Sequence, residues 1–396
     1  MSESRDGTPS GQLTDEEVHR WTRIGRLSAC AMLLSYTETF MPIPIPGVKL
    51  GLANVAVLVA LATGDVSGAV CVAFIKVLAV GFLFGSPLTM AYSVVGTALA
   101  LIGMVPLSRL KTMRLWMVSV VGALLHEVGQ LLVAQVLLRT TAVWYALPVL
   151  LVAGCVTGAI SGWFATQLAE ALAEKDTPSS QNADASGLPT SDALDAEPQR
   201  HAFTYRDARK GLPLSYIMSH APSIAALMLF CTFVAFAVIV LHMDNLAMLA
   251  VCVALALATC LVAHVDAHTL IRMVVPFAGI GAVTFLLQLL ATGGNVEVAA
   301  VETTRGITSL AALSLAARAF ANAVETDDLV GTLAWLLSPL SHLGVQIEGF
   351  LLAFDVALEL VPTLADTARR SLVTSDGPLT LSELGRRLGQ LARELL

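Results

Sequence analysis

Charge is scarce in this chain. Asp, Glu, Lys and Arg supply 13% of its 396 residues, about half the share of an ordinary soluble domain. A large solvated surface is therefore excluded. Cysteine pairs with metal spacing are lacking too. Cys30, Cys71, Cys155, Cys231, Cys252 and Cys260 stand singly inside apolar runs, so they read as small buried apolar residues. No GxxxxGK[ST] occurs, which excludes ATP binding through a P-loop. The stretch His126-Glu127-Val128-Gly129-Gln130 begins like the zinc motif HExxH but ends on glutamine, so the second ligand is missing. Asp327-Asp328 has no companion acid four residues on, and it fits a helix start after Thr326. No other aspartate-rich pattern suited to diphosphate chemistry is found. The polar N-terminus is mixed in charge, unlike a cleavable signal peptide. The expectation is a chain with no enzyme activity, cofactor or metal of its own.

What the chain has is apolar length. Hydrophobic residues make up 56%, and several runs reach the 18 or so residues that cross roughly 30 Å of hydrocarbon. They fall at about 24–41, 50–63, 66–85, 88–107, 117–138 and 145–170, then at about 222–241, 245–264, 270–290 and 306–322. The fold class expected is all-α, a polytopic membrane protein: a six-helix bundle plus a second helical membrane domain. Residues 173–205 are rich in Ser, Asp, Pro and Ala and carry too little apolar surface to offset ordering entropy, so they read as a linker. The divisions are 1–23 (polar tail), 24–172 (first membrane domain), 173–205 (linker) and 206–396 (second membrane and coupling domain). Basic residues set the orientation. Arg20, Arg23 and Arg26 precede the first helix, Arg109, Lys111 and Arg114 follow the fourth, and Arg200 to Lys210 follow the sixth. An even helix count puts all of them, with the N-terminus and the linker, in the cytoplasm.

Polar residues inside the apolar runs carry the functional signal, because ionisable groups in a bilayer are costly. Glu38 closes the first run, Lys49 and Asn54 open the second, and Lys76 lies within the third. His126, Glu127 and Gln130 lie within the fifth, and His126 and Gln130, four apart, share a helix face. These residues predict a polar pocket open to the outside; structural ion pairs such as Glu38 with Lys49, and a snorkelling Lys76, are the alternative. Pro42, Pro44 and Pro46 remove three amide donors, and Gly47 permits a sharp turn. A re-entrant hairpin and a plain loop both fit. Small residues recur at Gly64/Gly68, Gly81/Gly85 and Gly154/Gly158/Gly162, a spacing that lets helices approach closely in lipid. The triple run serves packing within the bundle or docking of another domain.

The segment from Glu38 through Pro46-Gly-Val-Lys-Leu-Gly-Leu-Ala-Asn54, then Phe84-Gly85, Ser93, Gly96 and Gly122-Ala-Leu-Leu-His126 with Gln130, resembles the Gx transporter family, also labelled heptaprenyl diphosphate synthase component I. Where that family usually has asparagine after the histidine, this chain has Glu127. The family is similar in layout to the substrate-binding S components of energy-coupling-factor importers. Residues from about 206 to 370 resemble the transmembrane T component of the same importers, through Arg318, Thr326, Asp328-Leu329, Leu337-Ser-Pro-Leu340, Leu343-Gly344 and Val361-Pro362. In that family, Ala-Arg-Gly-like motifs on cytoplasmic helices dock on ATPase subunits, and Ala368-Arg369-Arg370 stands in their place here. The resemblance implies a solute-binding S-like domain fused to a coupling T-like domain, with ABC-type ATPases as partners and ATP hydrolysis on those separate subunits. It also implies an S-like bundle that topples in the membrane to carry its ligand inward, tethered by the linker at high effective concentration. Glu38, Lys49, Asn54, His126, Glu127 and Gln130 would contact the ligand. Other readings are a membrane accessory of prenyl diphosphate synthesis and a scaffold without transport. Within the importer reading, Lys49→Met abolishes solute binding without unfolding the bundle; an unchanged affinity, measured on purified protein, removes Lys49 from the site.

Overall fold

The computed structural model describes residues 14–38, 51–83, 87–110, 112–175, 224–324 and 349–361, apart from 355 and 359. Among these residues the chain is all-helical, without a strand. The first half contains α1 (Asp15–Glu38), α2 (Asn54–Ala62), α3 (Val66–Leu83), α4 (Pro87–Ser108), α5 (Leu115–Leu138) and α6 (Leu147–Lys175), the last entered through a 3-10 turn at Thr141–Ala146. The second half contains α7 (Ile224–His242), α8 (Leu246–Val262), α9 (Ala267–Ala291) and α10 (Val296–Ala323). A further helical stretch covers 349–361. Among the described residues four helices are long and apolar enough to cross a membrane: Thr89–Ser108, Leu115–Leu138, Thr141–Glu170 and Ala267–Ala291. This is an all-α membrane protein.

Caps explain several boundaries. The Thr14 hydroxyl accepts from Glu17 N while Glu17 Oε2 accepts from Thr14 N at 2.8 Å. That reciprocal box satisfies orphan amides at a helix start, and it begins α1 well before the apolar run, inside the stretch assigned to the polar tail. Asp65 begins α3 in the same manner, accepting from Gly68 N at 2.7 Å. Asn245, Asp266 and Asn295 cap α8, α9 and α10. The Asp266 carboxyl sits below its ordinary range because the Thr269 hydroxyl and amide donate to it.

Asp65 also holds Arg20. Arg20 Nη2 donates to Oδ1 at 2.8 Å and Nε to Oδ2 at 3.1 Å. Burial pushes the Asp65 carboxyl up, but the bonds from Arg20, Gly68 and Ser67 outweigh it and leave it below its usual value. The stability this contributes is present above the unfolded value near pH 4 and is lost as pH falls through the lower folded value. The pair is partly exposed, so its worth is at most about 1 kcal/mol. Asp65→Asn lowers the melting temperature of the purified protein slightly at pH 7 and flattens its decline below pH 4; an unaltered acid profile refutes this.

α2 differs from the expected span. Nine residues rise roughly 14 Å, about half of a bilayer core. Val55 through Leu61 are all buried, so α2 lies within the protein and not against lipid. Its entry turns at Gly51, whose φ of 74° is left-handed and suits glycine. A Cβ there would lie 3.2 Å from Ser161 Oγ, in the interior of α6. The chain thus enters α2 inside the bundle, where non-helical backbone is tolerated only because protein surrounds it.

Glycines close the bundle, though not all as expected. Gly64 has φ 79° in the turn after α2, with open space around it, and Gly68 lies in the first turn of α3 against its cap Asp65; that pair mediates no helix crossing. On α6, Gly154, Gly158 and Gly162 all face α5, with Gly158 against Val120 and Gly162 against Trp116. α4 and α5 cross as closely. A Cβ on Gly129 would lie 2.7 Å from Gly96 Cα. Gly122 faces Met104 and Gly103 faces Leu125. Lipid gives helices no hydrophobic drive to associate, so van der Waals contact at such crossings matters most.

Among the described residues the halves touch in two places. Leu131, Leu137, Leu138 and Val143 share a buried cluster with Val240, Leu249, Leu310 and Leu313. Phe350, Leu351, Leu352, Ala353 and Phe354, each 5% exposed or less, join the core built on α1, α2 and α3. The six thiols are free. Cys252 and Cys260 are buried, but Cys155 and Cys231 are exposed, which corrects the expectation of burial for those two: their helices turn that face away from the protein core.

Candidate functional site

Glu38 and Asn54, the ends of α1 and α2, are the first group. Glu38 is buried, and its Oε1 accepts from Leu52 N. That amide opens α2, where Ala53 supplies no side-chain cap. A carboxylate at a helix N-terminus is favoured both by the unsatisfied amides and by the helix dipole. Lys76 is buried on α3 and donates to Asn54 Oδ1 at 2.7 Å; it turns inward and does not snorkel. An amide oxygen is a dipole partner for the ammonium group, so Asn54 both starts α2 and holds Lys76. Ser161 on α6, facing Gly51, borders this group and bonds Thr157 O at 2.9 Å.

His126 and Glu127 form the second group. Adjacent residues on a helix point about 100° apart, and here they meet different neighbours. His126 faces α4, where a Cβ on Gly96 would lie 2.9 Å from its Nε2; only glycine at 96 leaves the ring room. Glu127 faces α6, with its Cγ 3.5 Å from the place a Gly154 Cβ would take. Glu127 is 8% exposed, and Oε2 has no hydrogen-bond partner among the described residues. Thr97, next to Gly96, is also buried with its hydroxyl unpartnered. Buried polar atoms are ordinarily paired, and an orphan calls for an explanation such as a ligand. Gln130 is half-buried on the His126 side of α5.

The two groups sit at different levels. Ser161 follows Gly154 by two turns of α6, roughly 10 Å of rise. Glu38 and Lys76 both bond the entry of α2, at Leu52 N and at Asn54 Oδ1; His126 and Glu127 diverge from a separate point on α5. Lys49 and the coupling candidates Ala368, Arg369 and Arg370 lie outside the described residues, as do Phe84 and Gly85. Thr97 and Ser161 were not anticipated, since isolated hydroxyl residues in apolar helices carry no periodic signal. No group of three or more His, Cys, Asp or Glu suited to a metal occurs among the described residues.

Residues 27–168 match the family model described as heptaprenyl diphosphate synthase component I. The match covers the first membrane half and takes in Glu38, Asn54, Lys76, His126, Glu127 and Gln130. Comparison with curated proteins and with solved structures gives no match.

Proposed function

We propose that this chain is a membrane component of an energy-coupling-factor type ABC importer, joining a solute-binding S-like half to a coupling T-like half. The observation that carries the reading is the orphaned carboxylate oxygen of Glu127, buried between α5 and α6. A polar group left unbonded inside a membrane bundle is costly unless a solute or ion completes it. The half-length α2, entered through Gly51 within the bundle, adds a break in the helical wall, as transported-solute sites in membranes often have. Glu38 and Asn54 then act as positioning residues for α2. Glu127 faces the ligand on the α6 side of α5, while Thr97 on α4 and His126 and Gln130 on α5 lie toward the α4–α5 crossing. The ligand on this reading presents a hydrogen-bond donor or a positive group to Glu127. ABC-type ATPase subunits supply the energy, and the basic end bearing Arg20, Arg109 and Arg114 faces the cytoplasm.

The family description favours a second reading, an accessory of heptaprenyl diphosphate synthesis. One experiment separates them. The tagged protein is isolated in mild detergent from its own membranes and its companions are identified by mass spectrometry. Stoichiometric ABC-type ATPases support the importer. A soluble prenyl transferase in their place overturns it in favour of the second reading.

A further inference from the structure

We propose that the two halves of this chain form one permanent unit, closed at two separate places on the first bundle, so that the first bundle does not leave the second during its working cycle. The last clause rests on the importer reading; the pairing itself does not.

The first closure lies near the Arg20 end of α1. Gly25 brings α1 so near the 349–361 helix that a Cβ would lie 2.8 Å from both Ala353 O and Val356 Cβ. Gly349 in turn abuts the Trp21 indole. The Phe350 ring lies 6.0 Å from Phe74 of α3. The second closure lies at the C-terminus of α5. Successive helices run alternately through the bundle, so this end is opposite Arg20. There a Cβ on Gly306 of α10 would lie 2.7 Å from Leu138 O. Gln288 of α9 donates to Thr140 Oγ1 at 2.7 Å. Arg139, left-handed at φ 55° as the C-cap of α5, donates to Met243 O and pairs with Asp244 in the α7–α8 turn.

The weight falls on the packing. Asp244 is 75% exposed, and an ion pair so wet contributes little. The polar contacts fix register, while the buried clusters and glycine contacts hold the surfaces together. At Gly25 and at Gly306 the opposing atom includes a backbone carbonyl, which cannot rotate away as a side-chain end can. One attachment would act as a hinge. Two, at opposite ends of the first bundle, hold both α10 and the 349–361 helix to it. The S-like toppling that the sequence resemblance implies would have to break both.

The test uses the full chain with a protease site inserted in the Ser- and Asp-rich stretch at 173–205. The purified protein is cut in mild detergent and run on a sizing column. The halves are expected to co-elute after cutting. Gly25→Leu with Gly306→Leu raises the separated fraction by at least about tenfold, the equilibrium change that strained packing produces; each single variant gives less. Separation of the cut wild-type halves overturns the proposal. So does co-elution of the cut double variant. If that variant fails to fold before cutting, Phe350→Ala with Leu313→Ala, which leaves cavities at the same two contacts, is measured in its place under the same criteria. None of these outcomes depends on whether ATPases accompany the protein.

Discussion

Glu127→Leu is expected to raise the thermal stability of the purified protein and to strip it of bound solute. The carboxylate is buried against α6 with Oε2 unbonded. An unsatisfied buried polar group costs about 1–3 kcal/mol, and a leucine of similar volume removes that cost while keeping contact with Gly154. The gain is read as a higher melting temperature in detergent. The loss is read by mass spectrometry of small molecules extracted from wild type and variant prepared alike. Glu127→Gln keeps shape and hydrogen bonding without charge, so it separates a need for charge from a need for an acceptor. A fall in stability on Glu127→Leu would give the carboxylate a structural partner, and an unchanged set of extracted molecules would remove it from the site.

Gly129→Ala is expected to destabilise the protein far more than Gly103→Ala, although both glycines lie in the α4–α5 crossing. At Gly129 the new methyl would meet Gly96 Cα at 2.7 Å and Val95 O at 2.9 Å. Both atoms belong to backbone, so the helices must part. At Gly103 the obstacle is Leu125 Cδ1, the end of a side chain that can change rotamer. Overpacking costs about 1–3 kcal/mol, and more where the backbone cannot give, so Gly129→Leu should prevent a stable bundle. Parting α4 from α5 also moves His126 away from Gly96, so solute binding falls with stability. Thermal unfolding of the three variants checks the order; equal effects of the two alanines would show that the crossing is looser than its geometry.

Much of the helical layout was legible in the sequence, because the apolar runs of a membrane protein mark its helices directly. The exceptions have physical causes. Thr14-Asp-Glu-Glu17 carries a capping-box spacing that starts α1 among polar residues, and a search for apolar runs passes over it. α10 begins at Val296, before its apolar run, because Asn295 caps it and Glu302 pairs with Arg305 at 2.9 Å one turn on. The four-residue glycine rule found α6 but missed the α4–α5 crossing. There the glycines repeat every seven residues, at 96 and 103 and at 122 and 129, the interval that returns to one helix face after two turns. The candidate site was legible as a set of residue types. Its division into a Glu38–Asn54–Lys76 group and a separate Glu127 was not, because hydrogen bonds across helices depend on register. The contact of 349–361 with α1 and α3 had no local signal at all, being made by shape between distant parts of the chain.

That contact also orders events in time. Phe350 is made about 325 residues after Gly25. At roughly 5–20 residues per second, the face of α1 bearing Trp21 and Gly25 waits on the order of 20–60 s for the helix that covers it. The first bundle can therefore be inserted early and finished late. During that interval the face later covered by Phe350 and Ala353 has no partner from its own chain. A ribosome stalled before residue 349 would leave the first bundle with an open seam, which distinguishes an unfinished chain from a complete one.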